Sequence, residues 1–284
     1  MYNKEDIYFW EKKMKIAVIA TTSGAGSTFI STNLSYVSGY TYLDCSLNQI
    51  GHTFFEREKT EDLPLNLQTV ELTEKDCGEC ASCLSLCKKN AFIKTEEYAK
   101  LVCKACPEGD CTVACHNNLT KTNISNIGNL ITEKSGKLKL ARLNCEHHNV
   151  ALAFECALKH LENENLVVDL QDYTAPFALP IMKACDYCII VVEPGASDFE
   201  NFKALVRLCK LANKPFGLVI NKLITPYDKL VDYCNLHSTD VLARIPCTAR
   251  ESKIIQSGQI ISAVKFSYKQ YFTEVIHQIK KKLK

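Results

Sequence analysis

At 284 residues, 46% of them apolar, the chain is long enough for one large domain or two smaller ones around a buried core. Its formal charge of +2 supplies no field to gather nucleic acid, and no apolar run reaches the length of a membrane span. The opening "MYNKEDIYFWEKK" lacks the unbroken apolar stretch of a signal peptide, so the expected setting is the cytoplasm, where sixteen cysteines point to metal rather than to disulfides.

Along the chain, short apolar runs alternate with longer amphipathic ones. "KIAVIA" (15–20) predicts a strand, followed by a helix over 28–38 and a strand over 41–44. After residue 120, "NIGNLITEKSGKLKLARL" reads as a hairpin turned at Ser135-Gly136. Then come a helix over 149–161 and strands over 165–169 and 187–192. A helix over 197–212, a strand over 215–220, a helix over 226–235 and a strand over 240–244 follow, and a basic amphipathic helix closes the chain in a solvated "KKKLK". Near-continuous apolar strands such as "CIIVV" and "FGLVI", separated by helices, predict an α/β fold: a doubly wound, mostly parallel sheet covered on both faces. Residues 71–119 break this rhythm and read as a small inserted module. The expected organisation is an extension over 1–13, an α/β domain over 14–70 and 120–284, and the insert over 71–119.

Eight of the sixteen cysteines fall inside that insert. Cys77, Cys80, Cys83 and Cys87 are spaced Cys-x-x-Cys-x-x-Cys-x-x-x-Cys. Cys103, Cys106, Cys111 and Cys115 repeat the run with "PEGD" widening the middle gap to four residues. Three closely spaced thiolates wrap one corner of an iron–sulfur cube, and in two-cluster bacterial ferredoxins the fourth ligates the other cube. The expectation is therefore two [4Fe-4S] clusters, one on Cys77, Cys80, Cys83 and Cys115, the other on Cys87, Cys103, Cys106 and Cys111. Structural zinc is the alternative reading, since it too takes four thiolates, though commonly from separated pairs. Cys185 and Cys188 run into a strand and are expected in the core, as are Cys45, Cys145, Cys156, Cys209, Cys234 and Cys247. None of the seven histidines shows metal-ligand spacing, and the adjacent His147 and His148 read as surface groups.

Between the first strand and first helix lies "TTSGAGSTF" (21–29), the position of a phosphate loop. Gly24 and Gly26 let backbone amides approach phosphate, and Thr28 stands where a hydroxyl would meet magnesium at a helix start. The chain resembles the MinD/ParA/Mrp class of P-loop ATPases, and within it the group carrying an inserted two-cluster ferredoxin domain. The family loop K-G-G-T-G-K-T falls on Thr22-Ser23-Gly24-Ala25-Gly26-Ser27-Thr28. "YLDCSLNQIGHTFF" resembles its D-x-D switch, "ARLNCEHHNVALAF" its G-R-L-N segment, and "LVVDLQDYTAPF" its Walker B strand and turn. "GLVINKL" resembles its base-reading strand end and "LARIPCTARESKIIQSGQII" its closing segment, so the resemblance covers nearly everything from Met14 on.

The resemblance implies nucleotide (ATP or ADP with magnesium) at Ser23 to Thr28, with Asp44 and Asp169 as the acidic strand ends and Asn221 with Lys222 as the base-reading pair. It also implies what is missing. Thr22 replaces the signature lysine that reaches across a dimer, Ser27 the loop lysine, and Ser46 the switch aspartate that orients water. The expected function is electron transfer through two clusters on a nucleotide-binding scaffold with negligible autonomous ATP hydrolysis and no catalytic residue of its own. Expected partners are a redox protein and a second subunit, as a homodimer or as a heterodimer with an intact-loop paralogue. A working ATPase coupled to electron or cluster transfer and a cluster carrier are the alternatives, and a glycine turn without a ligand is the plainest reading of the loop.

Overall fold

The computed structural model describes residues 13–46, 48–72, 92–94, 99–101, 120–195, 198–223 and 228–283. The chain divides into two compact units, one of Met1–Glu61, Ile131–Leu143 and Leu161–Lys284, the other of Asp62–Leu130 and Asn144–His160. In chain order the strands are β1 Lys15–Ala20, β2 Thr41–Asp44, β3 Glu58–Leu72, β4 Phe92–Lys94, β5 Ala99–Leu101, β6 Thr120–Ser135 and β7 Leu138–Asn144. They continue with β8 Leu166–Asp172, β9 Tyr187–Val192, β10 Phe216–Leu223 and β11 Val241–Pro246. The helices are α1 Ser27–Ser38, α2 Val150–His160, α3 Ala178–Ala184, α4 Asp198–Ala212, α5 Asp228–Leu236, α6 Ala249–Gln256, α7 Ile261–Val264 and α8 Phe266–Lys282.

Nine strands form one sheet in the order β11-β10-β9-β1-β8-β2-β7-β6-β3. From β11 to β7 every neighbour for which a register is resolved is parallel. β6 and β7 are adjacent and joined by a two-residue turn, a connection that only antiparallel strands accept, so the sheet is mixed but mostly parallel. The turn occupies residues 136–137, one position beyond the expected Ser135-Gly136, because Gly136 takes the left-handed conformation (φ 57°).

Ile16, Ala17, Val18 and Ile19 are all fully buried, so both faces of β1 are covered, as a doubly wound sheet requires. On one face Ile16, Val18, Ile189 and Val191 pack with Phe29, Ile30 and Leu34 of α1 and Phe272, Val275 and Ile279 of α8. The other face meets α3 and α4, which contact β1 and β9. Cys185 and Cys188 are fully buried as expected, whereas Cys145 and Cys247 are only half-buried and do not belong to the core. In the second unit, Gly128 (φ 144°) lets the backbone of β6 lie against Cys145, where a Cβ would meet that residue at 2.4 Å.

β3 has no counterpart among the predicted elements. Its opening, "EKTED", is charged and exposed, and only Leu65 and Leu67 are buried among its described side chains. That alternation is what an edge strand with one wet face looks like. β3 extends to Leu72 and β6 begins at Thr120, and the two compact units divide inside these strands, at Glu61/Asp62 and Leu130/Ile131.

Candidate functional site

The parallel strands deliver their carboxyl ends to one side of the sheet, the side on which open α/β sheets build sites. There β1 passes into residues 21–26 and then α1. Thr21 is tied to β9, its N–H and hydroxyl both donating to Val191 O at 2.9 and 3.2 Å. Ala25 N–H donates to Thr22 O (3.1 Å), which curls the loop. Gly24 (φ 87°) and Gly26 (φ 108°) supply the left-handed turns. A side chain at Gly26 would be strained and would also put its Cβ 2.3 Å from Asn221 Nδ2. Asn221, 3% exposed, donates that amide to Ala25 O at 2.8 Å and pins the loop to the end of β10. Ser23 and Gly24 are exposed, Thr28 is half-buried and Ser27 is buried, its carbonyl accepting the Ser31 hydroxyl at 2.7 Å. The first N–H groups of a helix lack intrahelical partners, and at α1 no side chain caps them, so they open toward the loop.

Lys222 follows Asn221 and also turns to the loop: its Nζ donates to Gly24 O at 2.8 Å and pairs with Glu193 Oε2 at 2.8 Å. Beside these groups is a cleft of about 380 Å³ lined by Gly24, Gly26, Phe29, Asn221, Lys222 and Tyr268, among others. The loop residues 23–28, Asn221 and Lys222 are therefore gathered in one place.

Asp44 and Asp169 are register partners on adjacent strands β2 and β8, and both are fully buried. Tyr42 joins them, its hydroxyl lying 3.2 Å from Asp44 Oδ2 and 3.0 Å from Asp169 Oδ2. Ser46 satisfies the remaining oxygen of Asp44, donating its hydroxyl (2.5 Å) and N–H (2.9 Å) to Oδ1. Burial first, and the neighbouring Asp169 second, push the Asp44 carboxyl up to about 7, while the Ser46 and Tyr42 donors pull the other way. The same burial and the two carboxylates hold the Tyr42 phenol well above its ordinary range. Gly51 packs against that phenol so closely that a Cβ there would sit 1.7 Å from the hydroxyl oxygen.

Polar contacts continue outward from Ser46. Its hydroxyl accepts Gln49 N–H (3.1 Å), and Gln49 Oε1 accepts Arg142 Nη1 (2.9 Å). Arg142 faces Glu133 Oε1 at 3.7 Å, and Glu133 Oε2 meets His52 Nδ1 at 2.6 Å. Burial lowers the pKa of His52 against the opposing pull of Glu133. His52 and Glu133 are 81 positions apart, and no spacing rule links them, so the sequence offers no sign of this pair. Tyr42 likewise reads as ordinary strand filler. Glu193 carries no motif of its own.

The eight cysteines of the expected clusters, Cys77, Cys80, Cys83, Cys87, Cys103, Cys106, Cys111 and Cys115, lie outside the described residues. Among the described residues there is no group of three or more His, Cys, Asp or Glu side chains placed to hold a metal ion, and no helix long and apolar enough to cross a membrane.

No family model matches the chain. An uncharacterized protein of Methanocaldococcus jannaschii is 22% identical over 248 residues, which cover 78% of this chain and 88% of that protein. Among solved structures, a ParA family ATPase from Chlorobium tepidum aligns over 94% of this chain and 99% of its own, at 13% identity and a TM-score of 0.54. The MinD cell division protein of Aquifex aeolicus covers 94% and 97% (12% identity, TM-score 0.52). The septum site-determining protein MinD of Pyrococcus horikoshii, solved with Mg-ADP, covers 94% and 96% (14% identity, TM-score 0.51). With its order of parallel strands and its strand–loop–helix at the carboxyl edge, the chain has the fold of the MinD and ParA ATPases.

Proposed function

We propose that the chain is an iron–sulfur protein of the MinD/ParA/Mrp kind, built on a nucleotide-binding scaffold whose loop has lost the cations of hydrolysis. The observation that carries the nucleotide half is the loop itself. Two left-handed glycines and an uncapped helix start form the cradle, pinned by Asn221 beside an open cleft, with the small buried Ser27 where a lysine would stand. The metal half rests on the two cysteine runs of the insert over 71–119. Cys77, Cys80, Cys83 and Cys115 hold one [4Fe-4S] cluster, and Cys87, Cys103, Cys106 and Cys111 hold the other. Such clusters supply one-electron transfer, and a redox protein is the corresponding partner.

The scaffold binds ADP or ATP through the backbone amides of Ser23 to Thr28, with Asn221 at the base. Magnesium is a poorer match. Ser46 donates twice to Asp44 Oδ1, and the single Tyr42 hydroxyl lies within reach of Oδ2 of both Asp44 and Asp169, so a divalent cation would have to displace these contacts. A second subunit, either another copy or a paralogue that keeps its lysines, would bring the positive charge that Thr22 does not. Anaerobic purification followed by metal analysis tests the central reading. About eight irons per chain are expected from the two-cluster arithmetic, and two zinc ions in their place would overturn it.

A further inference from the structure

A second cleft, of about 690 Å³, lies at the opposite end of the strands from the phosphate loop. Gly39, just before β2, and Leu138, which opens β7, both line it, so it sits at the amino edge of the sheet. Of its apolar lining, Phe55, Leu138 and Ile260 are buried, whereas Tyr36 and Val264 are 44% and 54% exposed. Its volume falls within the roughly 300–1,000 Å³ of ligand-sized clefts. Its two charged residues, Glu56 and Lys137, are of opposite sign, so no single-sign field marks it for a phosphate or a cation. Exposed apolar side chains grouped in this way mark a place that another apolar surface covers.

The chain carries a matching surface close by. Residues 1–12 lie outside the described residues, and they include Ile7-Tyr8-Phe9-Trp10, an unbroken apolar run. The chain enters the sheet on the same edge. Met14 N–H donates to Asn165 Oδ1 at 2.8 Å, and Asn165 O accepts Thr41 N–H at 2.9 Å, so a single residue separates Met14 from the start of β2. β1, β8, β2 and β7 are consecutive in the sheet, and with strands about 4.8 Å apart the start of β7 is about 14 Å from Met14. The apolar run ends four residues before Met14, a span of up to about 13 Å, so its side chains reach the cleft without the chain leaving the edge.

We propose that Ile7 to Trp10 fold back across the amino edge and seat in this cleft of the same chain. Phe54 and Phe55 close the segment that leaves Asp44 through Ser46 and Gln49, so the seated run braces that segment from its far end.

Photo-crosslinking on the full chain tests this, with Phe9→p-benzoylphenylalanine and mass spectrometry of the products. Crosslinks within one chain to residues 36–39, 54–56 or 258–264 are expected. Trp10 is the single tryptophan of the chain, so its quenching by acrylamide reads the same seat. Wild type should be quenched several-fold less than a free tryptophan amide. Val264→Asp, which puts a charge on an exposed part of the lining, and Phe9→Ser, which leaves the cleft untouched, should each lose most of that protection while keeping the circular dichroism of wild type. Crosslinks to the cleft of a second copy, crosslinks elsewhere, a wild-type Trp10 quenched as freely as the amide, or full protection retained in both variants would overturn the proposal.

Discussion

Tyr42 sits between two buried carboxyl groups, a position in which full ionisation of both is costly because like charges share one dry site. The Asp44 carboxyl is raised to about 7, above the ordinary value near 3.9 of an unfolded chain. A group raised on folding favours the folded state below its unfolded pKa, and that advantage is lost as pH climbs through the folded value. The protein should therefore become less stable between about pH 4 and pH 7. Asp44→Asn cannot ionise, and its urea midpoint should lose much of that slope. A wild type equally stable at both pH values would show that the pair is not the titrating unit. Neither the slope nor the bridge is legible in the sequence: the family-like Asp44 and Asp169 stand out at strand ends, but a tyrosine two residues before an aspartate reads only as a good strand residue.

The β1–loop–α1 element was the most legible part of the chain, because an apolar strand, a glycine-rich turn and a helical pattern follow one another without interruption. Its two glycines differ in a way that only coordinates reveal. Gly24 has a positive φ but nothing within 4 Å of a would-be Cβ, whereas Gly26 combines positive φ with the Asn221 amide at 2.3 Å. Gly24→Ala should cost about 1–2 kcal/mol of left-handed strain alone. Gly26→Ala adds overpacking of about 1–3 kcal/mol and should be the more damaging in a denaturant titration. Equal losses would mean that Asn221 yields without penalty. β3 was illegible for the opposite reason: the charged, exposed "EKTED" hides the strand, and the pairing of Thr60 with Thr132 that helps hold it spans 72 positions. Lys222 shows the same limit. The "NK" strand end is readable, but the left-handed backbone that aims the lysine at Gly24 is not.

At the scale of the whole molecule, the proposed reading is of a scaffold that binds nucleotide without turning it over. A cationic finger on a transferring phosphoryl group contributes about 10³ to 10⁵ in rate, and the family resemblance implies that Ser27, Thr22 and Ser46 stand where the loop lysine, the cross-dimer lysine and the water-orienting carboxylate would be. Ser46 is moreover engaged with Asp44. Phosphate release from ATP by the isolated protein should stay at background. Ser27→Lys should strengthen nucleotide binding without starting catalysis, since Thr22 and Ser46 are unchanged; brisk turnover by the wild type would contradict this account. The described thiols bear on how the molecule ages in air. Six of these eight cysteines are buried, and burial pushes the thiols of Cys185, Cys156 and Cys234 upward, the last to about 11, away from the reactive thiolate. The described thiols of the sheet are thus poor targets for oxidation. If the proposed clusters are present, air exposure should bleach them before it damages the sheet, so that circular dichroism of the scaffold outlasts the brown colour.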